Sequence, residues 1–245
     1  MPNNTNVKRP ITLIGNGRSG TSLVSNIIGS HPDCVYVGET ANLIHSVYKS
    51  MVSSLPQSRY DEVPEVVRDN FIKLYPSAQK EWFHKPIGIP IVKSFWKNDD
   101  QFIEWYWKVI DRIFPGAIYF SVLRNPIDVI ESSHKWWDRP YKSIIKSNHL
   151  LYKILTHEDS RVSFAFRYED IINPDLSKDI VTDLLERIGL DYNEKSLSAL
   201  GTKYVARGKN QRSDTYIDEI KELLTDNFYE SFTAVEKKFG LSYNL

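Results

Sequence analysis

The chain has 245 residues, 41% of them hydrophobic and 25% charged, which suits one α/β domain spanning 1–245 with a sizeable core. Lys+Arg and Asp+Glu stand at 31 each, so no net basic field recruits nucleic acid, and any anion must be held by a local cluster. One cysteine, Cys34, excludes an intrachain disulfide and fits a reducing, cytoplasmic setting, and no apolar run is long enough for a membrane span.

Residues 1–10 form a polar extension carrying Lys8 and Arg9. The short apolar run at 11–14 reads as a buried parallel strand. A glycine-rich turn follows, Gly15-Asn16-Gly17-Arg18-Ser19-Gly20, and then Thr21, Ser22 and an apolar periodic run that predicts a helix. The helix stops near Gly29-Ser30-His31-Pro32, where His31 reads as a turn residue. A second strand over 34–37, with Cys34 as buried filler, closes on Gly38-Glu39. The unit is strand, phosphate-sized loop, helix, strand. A helix N-terminus behind a glycine turn offers backbone N–H groups and a positive dipole end to an anion.

The loop supports several readings. As Gly15-x-Gly17-x-x-Gly20 it matches a dinucleotide fingerprint, with Glu39 about where an acid would meet the ribose. As a phosphate loop of the NTPase type it lacks the lysine, because Thr21 follows Gly20. A third reading centres on the positive charge of Arg18, followed by Ser19-Gly20-Thr21-Ser22. A tight turn with no ligand is the fourth.

Residues 41–85 read as a helical insert, with helical spacing from 40 to about 52 and from 63 to 80, placed to cover or shape an acceptor site. A third strand is expected at 87–92. It ends at Lys93, which either faces the ligand crevice at a strand's carboxyl end or snorkels to the sheet edge. An amphipathic helix over 101–114 leads to a fourth strand over 117–123. Arg124-Asn125-Pro126 follows, in which Asn125 can cap a helix and Pro126 can start it. Arg124 and Ser132 are then placed either to grip one phosphate from two sides or to serve as an Arg124–Asp128 surface pair and an ordinary helix serine. Trp136-Trp137, together with the insert, is expected to shape the acceptor pocket.

A helix over 141–156 and a fifth strand over 161–166 precede Arg167-Tyr168-Glu169-Asp170. A helix over 176–188 comes next. The basic loop 206–213, with Arg207, Gly208, Lys209 and Arg212, reads as a lid over an anion or as a solvated loop. Residues 216–239 read as one amphipathic helix. The alternation predicts an α/β fold of P-loop-like, three-layer α/β/α type, with a central, mostly parallel sheet of about five strands flanked by helices. No metal-spaced Cys/His cluster is present.

These blocks together resemble the sulfotransferases that use 3′-phosphoadenosine 5′-phosphosulfate (PAPS). In that family an Arg-Ser-Gly-Thr-Ser/Thr loop after the first strand holds the 5′-phosphosulfate, matched by Arg18-Ser19-Gly20-Thr21-Ser22 behind Gly17. A second block, with a serine eight residues after its arginine, binds the 3′-phosphate, matched by Arg124 and Ser132. Tyr168 stands where the family places a residue near the cofactor. The spacing from Arg18 to Glu39 is most similar to tyrosylprotein sulfotransferases and related bacterial enzymes. The resemblance implies Glu39 as general base, and Arg18 and Lys93 as charge stabilisers. Arg207, Gly208 and Lys209 echo the late cofactor loop of the phenol and hormone enzymes.

The implied reaction moves a sulfuryl group from PAPS to a hydroxyl of a small-molecule, carbohydrate or peptide acceptor, releases PAP, and needs no metal. The alternatives are a nicotinamide oxidoreductase using Gly15, Gly17 and Gly20, which leaves Arg124 and Ser132 without a role, and a non-catalytic nucleotide-binding protein.

Overall fold

The computed structural model of the chain describes residues 9–40, 46, 47, 50, 63–74, 81–84, 98–201 and 214–243. Its centre is a five-stranded sheet of β1 (Ile11–Ile14), β2 (Cys34–Tyr36), β3 (Glu81–His84), β4 (Ile118–Leu123) and β5 (Val162–Arg167). Every pairing is parallel and the order is β2-β3-β1-β4-β5. The chain leaves β1 toward β2 and leaves β4 toward β5. The two connections diverge at the carboxyl ends of neighbouring strands, which is where an open parallel sheet forms its ligand crevice.

Strand alternation separates two apolar layers. Tyr119 and Leu123 of β4, with Ile14 of β1, face one core built on Phe102, Trp107, Leu151 and Phe228. Phe120 and Val122, with Ile11 and Leu13, face the other, built on Val24, Ile27, Val181 and Leu184. The first core belongs to α3 (Asp99–Ile113), α5 (Tyr141–Thr156) and α10 (Asp226–Phe239). The second belongs to α1 (Thr21–Gly29) and α7 (Ser177–Arg187). Both faces are covered, hence the continuous apolar run of β1 and the three-layer α/β/α architecture. Among the described residues the other α-helices include α2 (Val63–Leu74), α4 (Pro126–Trp137), α6 (Tyr168–Ile172), α8 (Glu194–Ser198) and α9 (Asp214–Leu223).

The strand expected at 87–92 and Lys93 lie outside the described residues. Other expectations are corrected. The strand between β2 and β1 is β3, inside the segment 41–85 that reads as helical from sequence. Four residues with Phe83 as the fully buried member carry too little alternation to compete with the helical spacing before them. Of the helix expected over 63–80, Val63–Leu74 is described. The helix expected over 216–239 is two, because Thr225 starts a new one: its hydroxyl accepts the Phe228 N–H at 3.4 Å. The short α8 carries too few residues for a periodic signal and is capped by Asn193, whose side-chain oxygen accepts Lys195 N–H at 2.9 Å.

His31 is a buried tie. Its Nδ1 accepts the Asp33 N–H at 3.1 Å, which leaves Nε2 to donate to Asp191 O at 2.9 Å. Cys34 is buried, and burial, with Glu81 and Asp33 adding to it, pushes its thiol up to about 12, so it does not form a thiolate near neutral pH.

Phe83 is fully buried in the second core and stacks on Tyr36 with ring centroids 5.2 Å apart. Phe83→Ala is therefore expected to lower the unfolding free energy by about 3–5 kcal/mol in a urea titration. A change within the scatter expected of a surface substitution would remove β3 from the sheet.

Candidate active site

The loop 15–20 is shaped by its own side chains. The Ser19 hydroxyl donates to Asn16 O at 2.7 Å. Asn16 Nδ2 reaches Ser147 O and Asn148 Oδ1, each at 3.2 Å, which ties the loop to α5. Arg18 takes a left-handed backbone, φ 69°, and Gly20 another, φ 95°. Gly20 is the cap residue of α1 and brings no side-chain cap bond, so α1 begins with its first-turn N–H groups turned to the loop. A side chain at Gly20 would be doubly costly, since a Cβ there would overlap the Tyr168 ring.

The second arm comes from β4. Asn125 caps α4, its Oδ1 accepting Ile127 N–H at 3.0 Å, and its own N–H donates to Glu169 Oε1 at 2.9 Å. Arg124, just before it, donates from Nη1 to the Arg18 carbonyl at 3.2 Å. The Arg124 guanidinium also lies over the Tyr168 ring, 5.0 Å from its centroid, and its Nη2 is 3.8 Å from Asp128 Oδ2. The pair with Asp128 and the engagement of the loop thus coexist. Ser132, two turns along α4, accepts Arg18 Nε–H at 3.0 Å.

Arg18, Arg124, Ser132 and Tyr168 therefore meet at the crevice between β1 and β4. Burial lowers the Arg18 pKa from its ordinary value, and the neighbouring Arg124 charge lowers it further, with Tyr168 acting in the opposite sense. The guanidinium stays protonated.

Ser19 and Thr21 are buried, Gly17 and Arg18 half-buried, and Ser22 exposed. Glu39 is exposed just past the end of β2, at the same carboxyl end of the sheet as the loop, with β3 standing between β2 and β1. Lys93, Arg207, Gly208 and Lys209 lie outside the described residues. Among the described residues there is no group of three His, Cys, Asp or Glu side chains that could hold a metal ion. No helix of the described residues is long and apolar enough to cross a membrane.

Sequence reasoning did not assign Asn16, Asn148 or Glu169. Asn16 offered a signal, a polar residue locked between two loop glycines. Asn148 offered none, since its partner is 132 positions away. Trp136 lies under the Arg18 guanidinium, 4.6 Å from centroid to Cζ, and the Trp137 ring occupies the space beside Gly17.

A family model described as "Sulfotransferase family" matches residues 10–194. The chain belongs to the sulfotransferase family. The matched region includes the loop, Arg124, Ser132 and Tyr168. The fold of this sulfotransferase is similar to the sulfotransferase domain of the Synechococcus PCC 7002 olefin synthase, with a TM-score of 0.55, 16% identity and 98% of each chain covered. It is also similar to a sulfotransferase from Alicyclobacillus acidocaldarius, with a TM-score of 0.54, 14% identity, 97% of this chain and 98% of that one. No individually curated protein matches the sequence.

Two glycines separate backbone strain from ring packing. Gly116 has φ 70° with nothing within 4 Å of an added Cβ, whereas Gly20 adds the Tyr168 overlap to its φ of 95°. Gly116→Ala is expected to cost about 1–2 kcal/mol, and Gly20→Ala clearly more, read as the larger fall in melting temperature. Equal falls would mean that Tyr168 does not pack on the loop.

Proposed function

We propose that this sulfotransferase moves the sulfuryl group of PAPS to a hydroxyl acceptor and releases PAP. The observation that carries the reading is the convergence of two distant blocks on one loop: Ser132 on Arg18 Nε, and Arg124 on the Arg18 carbonyl. PAPS brings anionic groups at both ends of its ribose. The residues fit such a molecule: two guanidiniums, a hydroxyl and a helix N-terminus without a side-chain cap gather where the sheet opens.

In this reading Arg18, the loop N–H groups from Gly17 to Ser22, and the Thr21 and Ser22 hydroxyls hold the 5′-phosphosulfate. Arg124 and Ser132 hold the 3′-phosphate, with Tyr168 beside the nucleoside. Arg207, Gly208 and Lys209 complete the grip on the donor. The acceptor oxygen forms the new S–O bond as the bond from sulfur to the phosphate oxygen breaks. Glu39 takes the acceptor proton, a role worth about 10²–10⁴-fold. Arg18 and Lys93 stabilise the charge that passes to the leaving phosphate. Positioning and electrostatics supply most of the acceleration, as they do in phosphoryl transfer. No metal enters the scheme. The acceptor is a small-molecule, carbohydrate or peptide hydroxyl, and the lone buried Cys34 suits a cytoplasmic setting.

PAP is expected to raise the melting temperature, since a ligand at 100 times its Kd adds about 2.7 kcal/mol of stability, while NAD leaves it unchanged. A shift with NAD and none with PAP would overturn the donor assignment. Glu39→Gln is expected to lower transfer from sulfur-labelled PAPS by about 10²–10⁴-fold while PAP binding by calorimetry keeps its Kd. Near-native transfer by that variant would remove Glu39 as base.

A further inference from the structure

We propose that Trp136 is a positioning residue that sets the plane of the Arg18 guanidinium, with Trp137 pinning the loop backbone beside it. Both indoles end α4 and are unusually open for tryptophan, 57% and 44% exposed, so core burial does not explain their placement. What they touch does. Ser132 and Trp136 are four residues apart on α4 and so share one face of the helix. From that face Ser132 Oγ accepts Arg18 Nε–H at 3.0 Å, and the Trp136 ring lies 4.6 Å under Cζ. One partner fixes the edge of the guanidinium and the other its flat side, leaving Nη1 and Nη2 to an anion.

Charge explains why an aromatic face suits this position. Arg124 stands close enough to repel the Arg18 charge, and the negative face of an indole offsets that repulsion without supplying a carboxylate that would compete with the bound anion. The next residue, Trp137, projects about 100° further round the helix and reaches the preceding loop residue, Gly17, where a Cβ would overlap its ring. Consecutive helix residues thus grip consecutive loop residues. The helix end that carries them is itself fixed. Asp138 closes it in a left-handed conformation with its N–H on His134 O at 2.8 Å, and His134 Nδ1 lies 2.8 Å from Arg139 O.

The inference rests on Arg18 binding the donor's anion, and the test separates the two. PAP binding is measured by calorimetry for Trp136→Leu, Trp136→Phe, Arg18→Ala and the double variant Arg18→Ala/Trp136→Leu, with melting temperatures alongside. Trp136→Leu is expected to raise the PAP Kd by about 3–30-fold, the range of a partly exposed cation–π contact, with the melting temperature kept because the ring is mostly exposed. Trp136→Phe should recover most of the loss, and the double variant should bind no worse than Arg18→Ala alone. If Arg18→Ala weakens PAP but Trp136→Leu does not, or if the two losses add, the positioning role is wrong and the donor reading survives. If Arg18→Ala leaves PAP binding unchanged, the donor reading falls and this inference with it.

Discussion

Two guanidiniums share one crevice, and the rest of the site follows from holding them there. Arg18 and Arg124 repel, and burial first and the Arg124 charge second lower the Arg18 pKa. Four contacts offset the repulsion without neutralising Arg18. Arg124 donates to the Arg18 carbonyl, a charge on a dipole, and lies over Tyr168; Arg18 is held by Ser132 and Trp136. Among the described residues no carboxylate pairs with Arg18. The one close to Arg124, Asp128, stands at 3.8 Å, beyond hydrogen-bond range. Among the described residues, two guanidiniums with only one loosely paired carboxylate thus sit partly withdrawn from water, an environment that favours an anion.

Strand register delivers these groups. Ile14 lies opposite Ser121, and the Ser121 hydroxyl donates to Ile14 O at 2.8 Å, locking β1 to β4 just before their loops diverge. Leu123 lies opposite Arg167, so the residues that follow, Arg124 and Tyr168, emerge side by side. A slip of one residue in the β1–β4 ladder would exchange the side chains of β4 between two cores that differ in shape. The same burial that stabilises the sheet therefore fixes which side chains stand at its carboxyl edge.

Much of this was legible in the sequence. The first strand, the glycine loop and the Arg124…Ser132 spacing all carry local signals: an apolar run, a glycine pattern, a proline at a helix start. The partners that hold the loop in shape do not. Asn148 and Glu169 act across long separations, 132 and 44 positions, and nothing local marks an amide or carboxylate as the acceptor for a distant N–H. The short β3 was hidden for a different reason, since four residues between helical spacings give no period to read. The tryptophan contacts were hidden in the same way as those of Asn148 and Glu169, because nothing near Trp136 and Trp137 in sequence points to Arg18 and Gly17, more than a hundred positions earlier.

The residue choices inside the loop also make physical sense of one another. Two of its six positions, Arg18 and Gly20, are left-handed, and only one is glycine. At Gly20 the Tyr168 ring sits where a side chain would begin, so the backbone demand and the packing demand agree. At Gly17 the backbone asks for nothing unusual, but Trp137 fills the space, so packing alone requires a glycine. At Arg18 the two demands conflict: the backbone favours glycine by about 1–2 kcal/mol, while only a side chain can make the Ser132 and Trp136 contacts. The arginine is kept, and the strain is carried by the bonds that fix the loop on either side, Ser19 to Asn16 and Asn16 to α5. Strain tolerated at a charged residue, with glycines on either side reserved for ring contacts, marks Arg18 as the position the loop exists to hold.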